Sequence, residues 1–282
     1  MTEWNTGVSP NWCPGCGNFG ILMAVKAAMN DLNLEPHKVL LVSGIGCSSK
    51  LPYFVKTYGF QSLHGRPLPV ATAAKLANHS LTVVAVAGDG DGYGEGTNHF
   101  IHSLRRNVDM TYVVHNNMVY GLTTGQTSPT SEKGFKTKTT PDGVIEVPIN
   151  PIALAIAAGA TFVARGFAGD VNHLKKLVMA GIQHRGFALI DVLQPCVTFN
   201  KVNTYEFYRQ RCYKLEESGH NTSDKNAAFA KSQEWGVRIP IGIFYQAQRK
   251  CYEDELPQIK DTPLAMQDIS HVDISKAVEE FI

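Results

Sequence analysis

Two cysteines near the start of the chain are spaced as metal ligands or as a redox pair. Cys13 and Cys16 stand in NWCPGCGNFG, residues 11–20. Such a pair can form a redox dithiol, bind zinc or supply two thiolates to an iron–sulfur cluster. A thioredoxin-type dithiol follows a buried strand, but the preceding segment NTGVSPN does not have the pattern of a strand. Structural zinc ribbons usually contain two such cysteine pairs, whereas this sequence has one.

Two further cysteines extend the possible ligand set. Cys47 in GIGCSSK and Cys196 in LQPC each follow a β-branched run, and with Cys13 and Cys16 they make four thiolates, the number a [4Fe-4S] cluster requires. Spacing alone leaves this cluster and zinc evenly matched, and a buried thiol that only packs is the alternative for Cys47 and Cys196. Packing is the preferred interpretation for the remaining cysteines, Cys212 and Cys251.

An aspartate between glycines and a pair of asparagines indicate a second site. Asp89 lies in GDGD, residues 88–91, and Asn117 ends the NN pair 28 residues later. The glycines let the backbone approach a diphosphate, while the Asp89 carboxylate, the Asn117 amide oxygen and the Val119 carbonyl suit Mg²⁺. This pattern resembles the thiamine diphosphate signature. The alternatives are a Gly-rich turn with a loop cap, or a dinucleotide site, which lacks its acidic residue here.

The elements that must position these residues alternate along the chain. Short apolar runs predict strands at 38–47, 81–91, 110–117, 160–166 and 187–196, and apolar residues three or four apart predict helices at 19–32, 94–107, 150–159 and 170–186. The pattern predicts an α/β fold with a doubly wound, mainly parallel sheet. In such sheets ligands bind beyond the carboxyl ends of the strands. Four residues fall there and predict one composite site: Cys47, Asp89, Asn117 and Cys196.

The chain divides into two predicted regions. Residues 1–197 are predicted to form a thiamine diphosphate-binding domain of the diphosphate type with the cluster ligands. Residues 198–282 are predicted to form a helical, partly irregular C-terminal extension, which is expected to dock a partner and cover the site. Residues 123–150, rich in Thr, Gly, Pro and Lys, are expected to form a long, lid-like loop.

Composition restricts the class of partner. The chain is 44% apolar and 18% charged with a net charge of +1, so neither nucleic acid nor an anionic membrane is an expected partner. The first residues lack the features of a secretory signal, and no apolar stretch is long enough to span a bilayer. We therefore expect a cytoplasmic protein, whose six dilute cysteines serve metal or redox chemistry, or none, rather than disulfides.

Thiamine diphosphate beside an iron–sulfur cluster favours one chemistry. The coenzyme makes a 2-oxo acid lose CO₂ and leaves two electrons to be removed, which a nearby cluster accepts singly. A thiol such as coenzyme A then collects the acyl group. The combination predicts an oxidative decarboxylase.

The chain resembles the β subunit of 2-oxoacid:ferredoxin oxidoreductases. The likeness lies in ordered motifs over residues 11–200, and more loosely to about 256: WCPGCGNFGI, GIGCSSKLP, HGRPLPVATAAKLAN, GDGDGYGEGTNHFIHSLRRN, HNNMVYGLTTGQTSPT and QPCVTFN. It implies a [4Fe-4S] cluster on the four cysteines 13, 16, 47 and 196, and Mg²⁺ on Asp89, Asn117 and the Val119 carbonyl. It also implies an α subunit that brings an activating glutamate and the coenzyme A site, ferredoxin as electron partner, and an α₂β₂ or larger assembly.

Position beside these ligands gives roles to further residues, and the resemblance adds one for His64. Those expected to line the cofactor are Ile45, Gly46, Cys47, Ser48, Gly88, Asp89, Gly90, Asp91, Gly121, Leu122 and Thr123. His64 is expected to donate to the diphosphate or the reacting oxygen, the alternative being a loop histidine that caps backbone. Lys50 is expected to meet a distal substrate carboxylate, which favours 2-oxoglutarate over pyruvate, the alternative being a solvated surface lysine.

Other functions remain open at this point. A pyruvate or broad 2-oxo acid enzyme is the nearest alternative. A non-oxidative thiamine decarboxylase or carboligase would leave the cysteines to zinc or to no ligand. An electron-transfer subunit without thiamine is the non-enzymatic alternative.

Overall fold

An eight-stranded sheet organises residues 4–282, which the computed structural model describes. Its strands are β1 (Val39–Ser43), β2 (Tyr58–Gln61), β3 (Thr82–Gly88), β4 (Met110–Asn116), β7 (Phe162–Phe167), β8 (Phe187–Leu193), β9 (Cys212–Lys214) and β10 (Ile239–Gln246). They lie in the order β2-β1-β3-β4-β8-β7-β10-β9. Two short strands, β5 (Val119–Tyr120) and β6 (Gln126–Thr127), pair separately as an antiparallel hairpin.

The central strands are parallel and end level with one another. Gly88 pairs with His115, and Asn116 pairs with Leu193, so the carboxyl ends of β3, β4 and β8 meet at one edge. These strands are mostly apolar and almost fully buried, because both faces of the sheet are covered. Strands β10 and β9 run opposite to the other six strands of the described sheet, because β10 pairs antiparallel with β7 and parallel with β9.

Helices cover both faces of the sheet. They are α1 (Asn18–Asp31), α2 (Pro67–Ala77), α3 (Thr97–Arg106), α4 (Pro151–Ala157), α5 (Val171–Gln183), α6 (Tyr205–Arg211), α7 (Lys225–Ser232) and α8 (Ser275–Glu279). Helices α1 and α5 pack on one face, and α2, α3 and α4 on the other. Shorter turns complete the chain: 3₁₀ turns at Pro36–Lys38, Ser48–Phe54, Leu215–Glu217, Glu253–Glu255 and Leu264–Met266, and a π-helical turn at Gly90–Glu95.

Local sequence explains where several helices begin and end. Asn150 accepts a hydrogen bond from the Ala153 amide and stands before Pro151, which suits the first position of α4. Asp170 caps α5 in the same way. Helix α3 ends at Asn107, whose φ of 58° is left-handed, and the basic pair before it favours a helix C-terminus.

The predicted α/β fold with a mainly parallel sheet is confirmed, and so are the five predicted strands and four predicted helices. Helix α2 and strand β2 were not predicted from the sequence. The helical expectation after residue 197 is wrong for Ile239–Gln246, where IPIGIFYQ forms β10 and is buried between β7 and β9. Periodicity cannot tell such a short apolar run from a buried helical segment. The boundary at 197 stays a prediction.

Residues 128–150 form a long irregular connection before α4, as the composition of 123–150 indicates. Within residues 4–282, no helix has the length and apolar character needed to cross a bilayer.

Candidate functional site

Asp89 lies at the carboxyl end of β3 and is almost completely buried. Its Oδ2 accepts hydrogen bonds from Ser128 Oγ at 2.5 Å and Thr130 Oγ1 at 2.6 Å, while its Oδ1 lies 3.4 Å from the Asn117 amide nitrogen. Burial raises the pKa of Asp89 to about 6, although these hydrogen bonds oppose the rise. The carboxylate is therefore firmly held and is charged above about pH 6, at a cost that a bound cation would offset.

An open cavity of about 80 Å³ lies between the ends of β3 and β4, and we call it the β3–β4 cavity. Every residue predicted to line the cofactor lines it, namely Ile45, Gly46, Cys47, Ser48, His64, Gly88, Asp89, Gly90, Asp91, Asn117, Val119, Gly121, Leu122 and Thr123. His115 and Tyr120 complete the lining. The volume is far below the roughly 300 Å³ of a pocket that encloses a whole drug-sized ligand, so this chain surrounds only part of one.

The β3–β4 cavity suits a hard cation and a polar ligand. Asp89, Asn117 and Val119 bring carboxylate, amide and carbonyl oxygens to it, which is the donor set Mg²⁺ prefers. Four buried polar atoms of its lining have no hydrogen-bond partner within residues 4–282: Ser48 Oγ, His64 Nδ1, Asp91 Oδ2 and His115 Nε2. Buried polar atoms normally find partners, so these indicate a ligand that supplies them.

Asp91 fixes the opposite wall of the β3–β4 cavity. Its Oδ1 accepts hydrogen bonds from the Ile45 amide at 3.1 Å and the Gly65 amide at 2.7 Å. Burial raises the pKa of Asp91 to about 6, against the effect of these bonds. His64 Nδ1 lies 3.0 Å from the same oxygen and 3.2 Å from Glu95 Oε2, so the ring stands beside two carboxylates, although Nδ1 forms no hydrogen bond with them.

His115 contributes a neutral polar side chain to the lining of the β3–β4 cavity, a position that was not predicted from the sequence. Its Nδ1 lies 2.8 Å from Asn18 Oδ1, at the start of α1. Burial lowers the pKa of His115 to about 3, so the ring is uncharged near neutral pH.

The four cysteines predicted to act together line a second cavity, of about 200 Å³, which we call the sulfur cavity. A Cβ atom built on Gly121 would lie 3.7 Å from Cys47 Sγ and 3.9 Å from Cys196 Sγ, which shows how near these sulfurs are. Trp12 Nε1 donates to the Cys47 carbonyl at 2.7 Å and ties the Cys13–Cys16 loop to the strand ends.

Burial and the neighbouring sulfurs both oppose ionisation of Cys16. Burial raises the pKa of Cys16 to about 12; the Asn18 amide opposes the rise, and the charges of Cys196, Cys47 and Cys13 add to it. Thiols that raise one another's pKa need a positively charged core to ionise together. Within residues 4–282, no three His, Cys, Asp or Glu side chains are grouped tightly enough to hold a single metal ion. The four cysteines instead line the open space of the sulfur cavity.

The two cavities adjoin. Cys47, Asn117, Gly121 and Leu122 line both of them. The structure therefore brings together the strand-end residues Cys47 and Cys196, which lie 149 positions apart in the sequence, as the strand-end argument requires.

Lys50 belongs to the sulfur cavity and is absent from the lining of the β3–β4 cavity. Its Nζ lies 3.3 Å from Asn11 Oδ1. The Lys50 charge also partly opposes the rise that burial causes in the pKa of Cys47. The substrate role predicted for Lys50 stays a prediction.

Several further site residues were not predicted from the sequence. Ser128 and Thr130 come from the long loop and hydrogen-bond Asp89. Gln194 lines the sulfur cavity two residues before Cys196. Gln194 follows directly after β8, so the strand-end rule that selected Cys196 could also have selected it. No local sequence pattern predicts which hydroxyl groups of TSPTS, residues 127–131, contact Asp89.

Comparison with known proteins agrees with this geometry. Residues 44–192 match the family model "Thiamine pyrophosphate enzyme, C-terminal TPP binding domain". This range contains the whole lining of the β3–β4 cavity and the central part of the sulfur cavity's lining. Residues 196–261 match the C-terminal family model of the pyruvate ferredoxin oxidoreductase beta subunit. The chain is 51% identical to a 2-oxoacid:ferredoxin oxidoreductase subunit beta from Saccharolobus solfataricus, over 93% of this chain and 90% of that protein. This chain belongs to the β-subunit family of 2-oxoacid:ferredoxin oxidoreductases.

Other similar proteins extend the comparison of this β subunit. It is 37% identical to the 2-oxoglutarate synthase subunit KorB of Methanocaldococcus jannaschii, over 88% of this chain and 92% of that protein. Its fold matches a solved 2-oxoglutarate:ferredoxin oxidoreductase from Magnetococcus marinus with a TM-score of 0.91, at 39% identity, covering 99% of this chain and 96% of that one. The predicted family, the oxidoreductase class and the thiamine diphosphate-binding domain are thereby confirmed.

Proposed function

We propose that this β subunit, together with an α subunit, performs the coenzyme A-dependent oxidative decarboxylation of a 2-oxo acid, preferably 2-oxoglutarate. Electrons leave through a [4Fe-4S] cluster to ferredoxin, and the reaction can run in either direction. The observation that carries the proposal is the contact between the β3–β4 cavity and the sulfur cavity, which share Cys47 and Asn117.

Asp89, Asn117 and the Val119 carbonyl are proposed to hold Mg²⁺ and, through it, the diphosphate of thiamine diphosphate. Bound there, the coenzyme supplies the electron sink for loss of CO₂. Ser128 and Thr130 orient the Asp89 carboxylate by donating to Oδ2, which directs Oδ1 toward the cation. His64, which lies beside Asp91, is proposed to donate to the diphosphate or to the reacting oxygen.

Cys13, Cys16, Cys47 and Cys196 are proposed to hold the cluster. Their donor chemistry fits, since thiolates are the usual ligands of iron–sulfur clusters. Cys16 and Cys196 are buried, whereas Cys13 is exposed. Ferredoxin would therefore approach from the Cys13 side, and thiamine would lie on the Cys47 side.

The proposed site needs a companion subunit to complete it. The β3–β4 cavity encloses too little volume for the entire coenzyme, so the α subunit is proposed to bring the activating glutamate and the coenzyme A site. The extension at 198–282 is proposed to dock this subunit and cover the site. Large apolar side chains are exposed along its last part: Leu264, Met266, Ile269, Val272, Ile274 and Phe281. We place the assembled enzyme in the cytoplasm.

The preference for 2-oxoglutarate rests on Lys50 and on similarity. The similar solved enzyme is described with 2-oxoglutarate, coenzyme A and succinyl-CoA bound. A broad 2-oxo acid specificity that includes pyruvate is the second candidate, because the relative at 51% identity is named only for 2-oxo acids. Lys50→Ala separates them. Selective loss of activity with 2-oxoglutarate supports the first candidate, and equal loss with pyruvate removes the role of Lys50.

The decisive experiment uses the protein co-expressed and purified anaerobically with its companion subunit. Reduction of methyl viologen is measured with 2-oxoglutarate, pyruvate and other 2-oxo acids, with and without coenzyme A. We expect reduction that needs both the 2-oxo acid and coenzyme A, and its loss in Asp89→Asn but not in Asp142→Asn, an exposed loop position. Release of CO₂ without dye reduction would identify a non-oxidative decarboxylase and overturn the proposal.

A further inference from the structure

Gln194 lies between one residue of each cofactor site. Its Nε2 is 3.4 Å from Cys16 Sγ, and its Oε1 accepts a hydrogen bond from Asn117 Nδ2 at 2.9 Å. The side chain is 99% buried, so no bulk water competes for these contacts. A single amide thus connects a proposed cluster ligand with a proposed magnesium ligand.

The neighbours determine which way both amides face. Gln194 Nε2 also donates to the Pro195 carbonyl at 2.9 Å, and a carbonyl can only accept, so the NH₂ group faces Cys16. Asn117 Oδ1 accepts from the Val119 amide at 3.1 Å, so its NH₂ group faces Gln194. The hydrogen bonds therefore run in one direction, from Asn117 through Gln194 to the sulfur.

Packing keeps Gln194 in this position. Its backbone amide donates to the Asn116 carbonyl at 2.9 Å, at the end of β4. On the other side is Gly17, where an added Cβ would lie only 2.8 Å from Gln194 Cγ. The link is thus part of the rigid strand-end edge.

We propose that Gln194 is a positioning residue that couples the two sites, so that a cation bound at Asn117 raises the reduction potential of the cluster at Cys16. This inference rests on the proposed function. A cation on Asn117 Oδ1 withdraws electron density from that amide and makes its N–H groups better donors. Hydrogen bonds in a chain polarise one another, so Gln194 in turn donates more strongly to Cys16 Sγ. Stronger N–H···S bonds stabilise the reduced cluster.

The coupling has a reciprocal consequence. If Mg²⁺ and thiamine diphosphate raise the potential, then the reduced protein must bind them more tightly than the oxidised protein by the matching factor. For one electron, a tenfold ratio of affinities corresponds to 59 mV. The enzyme would thus have its best electron acceptor only when the coenzyme is in place.

The test uses the complete complex and follows the cluster by electron paramagnetic resonance during redox titration, with and without Mg²⁺ and thiamine diphosphate. We expect the additions to raise the midpoint potential in the wild type, with an affinity ratio of about fivefold or more. In Gln194→Leu the hydrogen bonds to Asn117 and Cys16 are both lost. We expect the affinity ratio to fall below about twofold and coenzyme binding to weaken.

Gln194→Glu separates the two halves of the link. A carboxylate still accepts from Asn117 but cannot donate to the sulfur. We therefore expect coenzyme affinity close to that of the wild type, a lower midpoint potential and no coupling. Gln183→Glu, at an exposed position on α5, is the matched control and should behave as the wild type. Should Gln194→Leu fail to assemble, Gln194→Glu decides alone.

Two results would overturn the inference in different ways. Unchanged coupling in the Gln194 variants, with normal iron content, would remove Gln194 from the link and leave the proposed function intact. A wild-type complex that shows no cluster signal, or does not bind thiamine diphosphate in equilibrium dialysis, would remove the proposed function as well.

Discussion

Thr130 donates a hydrogen bond to Asp89 Oδ2 at 2.6 Å across 41 positions of sequence. The long loop after β6 is therefore attached to the carboxylate at the end of β3, and both residues are buried. A loop expected to act as a lid thus has one point fixed inside the site.

Thr130→Val should show how much this attachment contributes. Valine keeps the shape but removes the donor to a buried carboxylate, so we expect a loss of about 1–3 kcal/mol in the free energy of unfolding. Urea denaturation measures the change. Thr139→Val, at an exposed position of the same loop, should change stability by less than about 0.5 kcal/mol. Equal effects of the two substitutions would contradict a special role for Thr130.

Asp89→Asn should stabilise the cofactor-free fold and weaken cofactor binding. The pKa of Asp89 is raised in the folded chain, so folding favours the neutral acid, and ionisation above pH 6 costs stability without cofactors. The neutral amide avoids that cost, and we expect the cofactor-free variant to gain up to about 3 kcal/mol at pH 8.

The same variant should bind thiamine diphosphate and Mg²⁺ at least about tenfold more weakly, because a charged ligand is lost. Thermal unfolding and equilibrium dialysis measure the two effects, with Asp142→Asn as control. Unchanged magnesium-dependent binding would argue against Asp89 as a ligand.

Replacement of single cysteines should separate cluster ligands from packing residues. In Cys196→Ala we expect loss of most of the about four iron atoms per chain and of the visible absorbance, because one thiolate is missing. Cys251→Ala removes a buried thiol outside both cavities and should keep its iron. Anaerobic purification, iron analysis and absorbance bleached by dithionite provide the measurements. Zinc in place of iron in the wild type would speak for the zinc alternative.

Buried histidines should make the fold sensitive to acid. His184 hydrogen-bonds Thr161 Oγ1 through Nε2 at 2.8 Å, and burial lowers its pKa below 6.5, with Asp109 partly opposing this. Folding therefore favours the neutral ring, and its contribution is complete above pH 6.5 and declines as the pH falls. Each such histidine costs at most about 1.4 kcal/mol per pH unit.

His184→Gln should reduce this dependence, because glutamine does not titrate and can still contact Thr161. Melting temperatures at pH 7 and pH 5 test the expectation. His37→Gln, with a side chain 64% exposed, should retain the wild-type difference. The interpretation is wrong if His184→Gln loses as much on acidification as the wild type.

The strand-end rule accounts for most of what the sequence predicts correctly. Buried parallel strands have a strong apolar signature, and their carboxyl ends must share one edge, so Cys47, Asp89, Asn117 and Cys196 could be grouped before any coordinates. The grouping of these four strand-end residues therefore follows from the topology of the sheet.

What the sequence did not predict depends on tertiary contacts. Thr130 reaches Asp89 through an irregular loop whose path has no periodic pattern, and the importance of Gln194 depends on where Cys16 lies relative to β8. Strand β10 was missed because IPIGIFYQ is too short to distinguish strand from helix by its pattern.

The closure of the N-terminal loop on β8 has a consequence for biosynthesis. Gly17 donates its amide hydrogen to the Pro195 carbonyl at 3.1 Å, so the first cysteines reach their final environment only after the eighth strand exists. At about 5–20 residues per second, translation leaves their thiols waiting for roughly 10–40 seconds. During that interval they are open to oxidation, which makes an anaerobic or strongly reducing host the appropriate one for producing the intact protein.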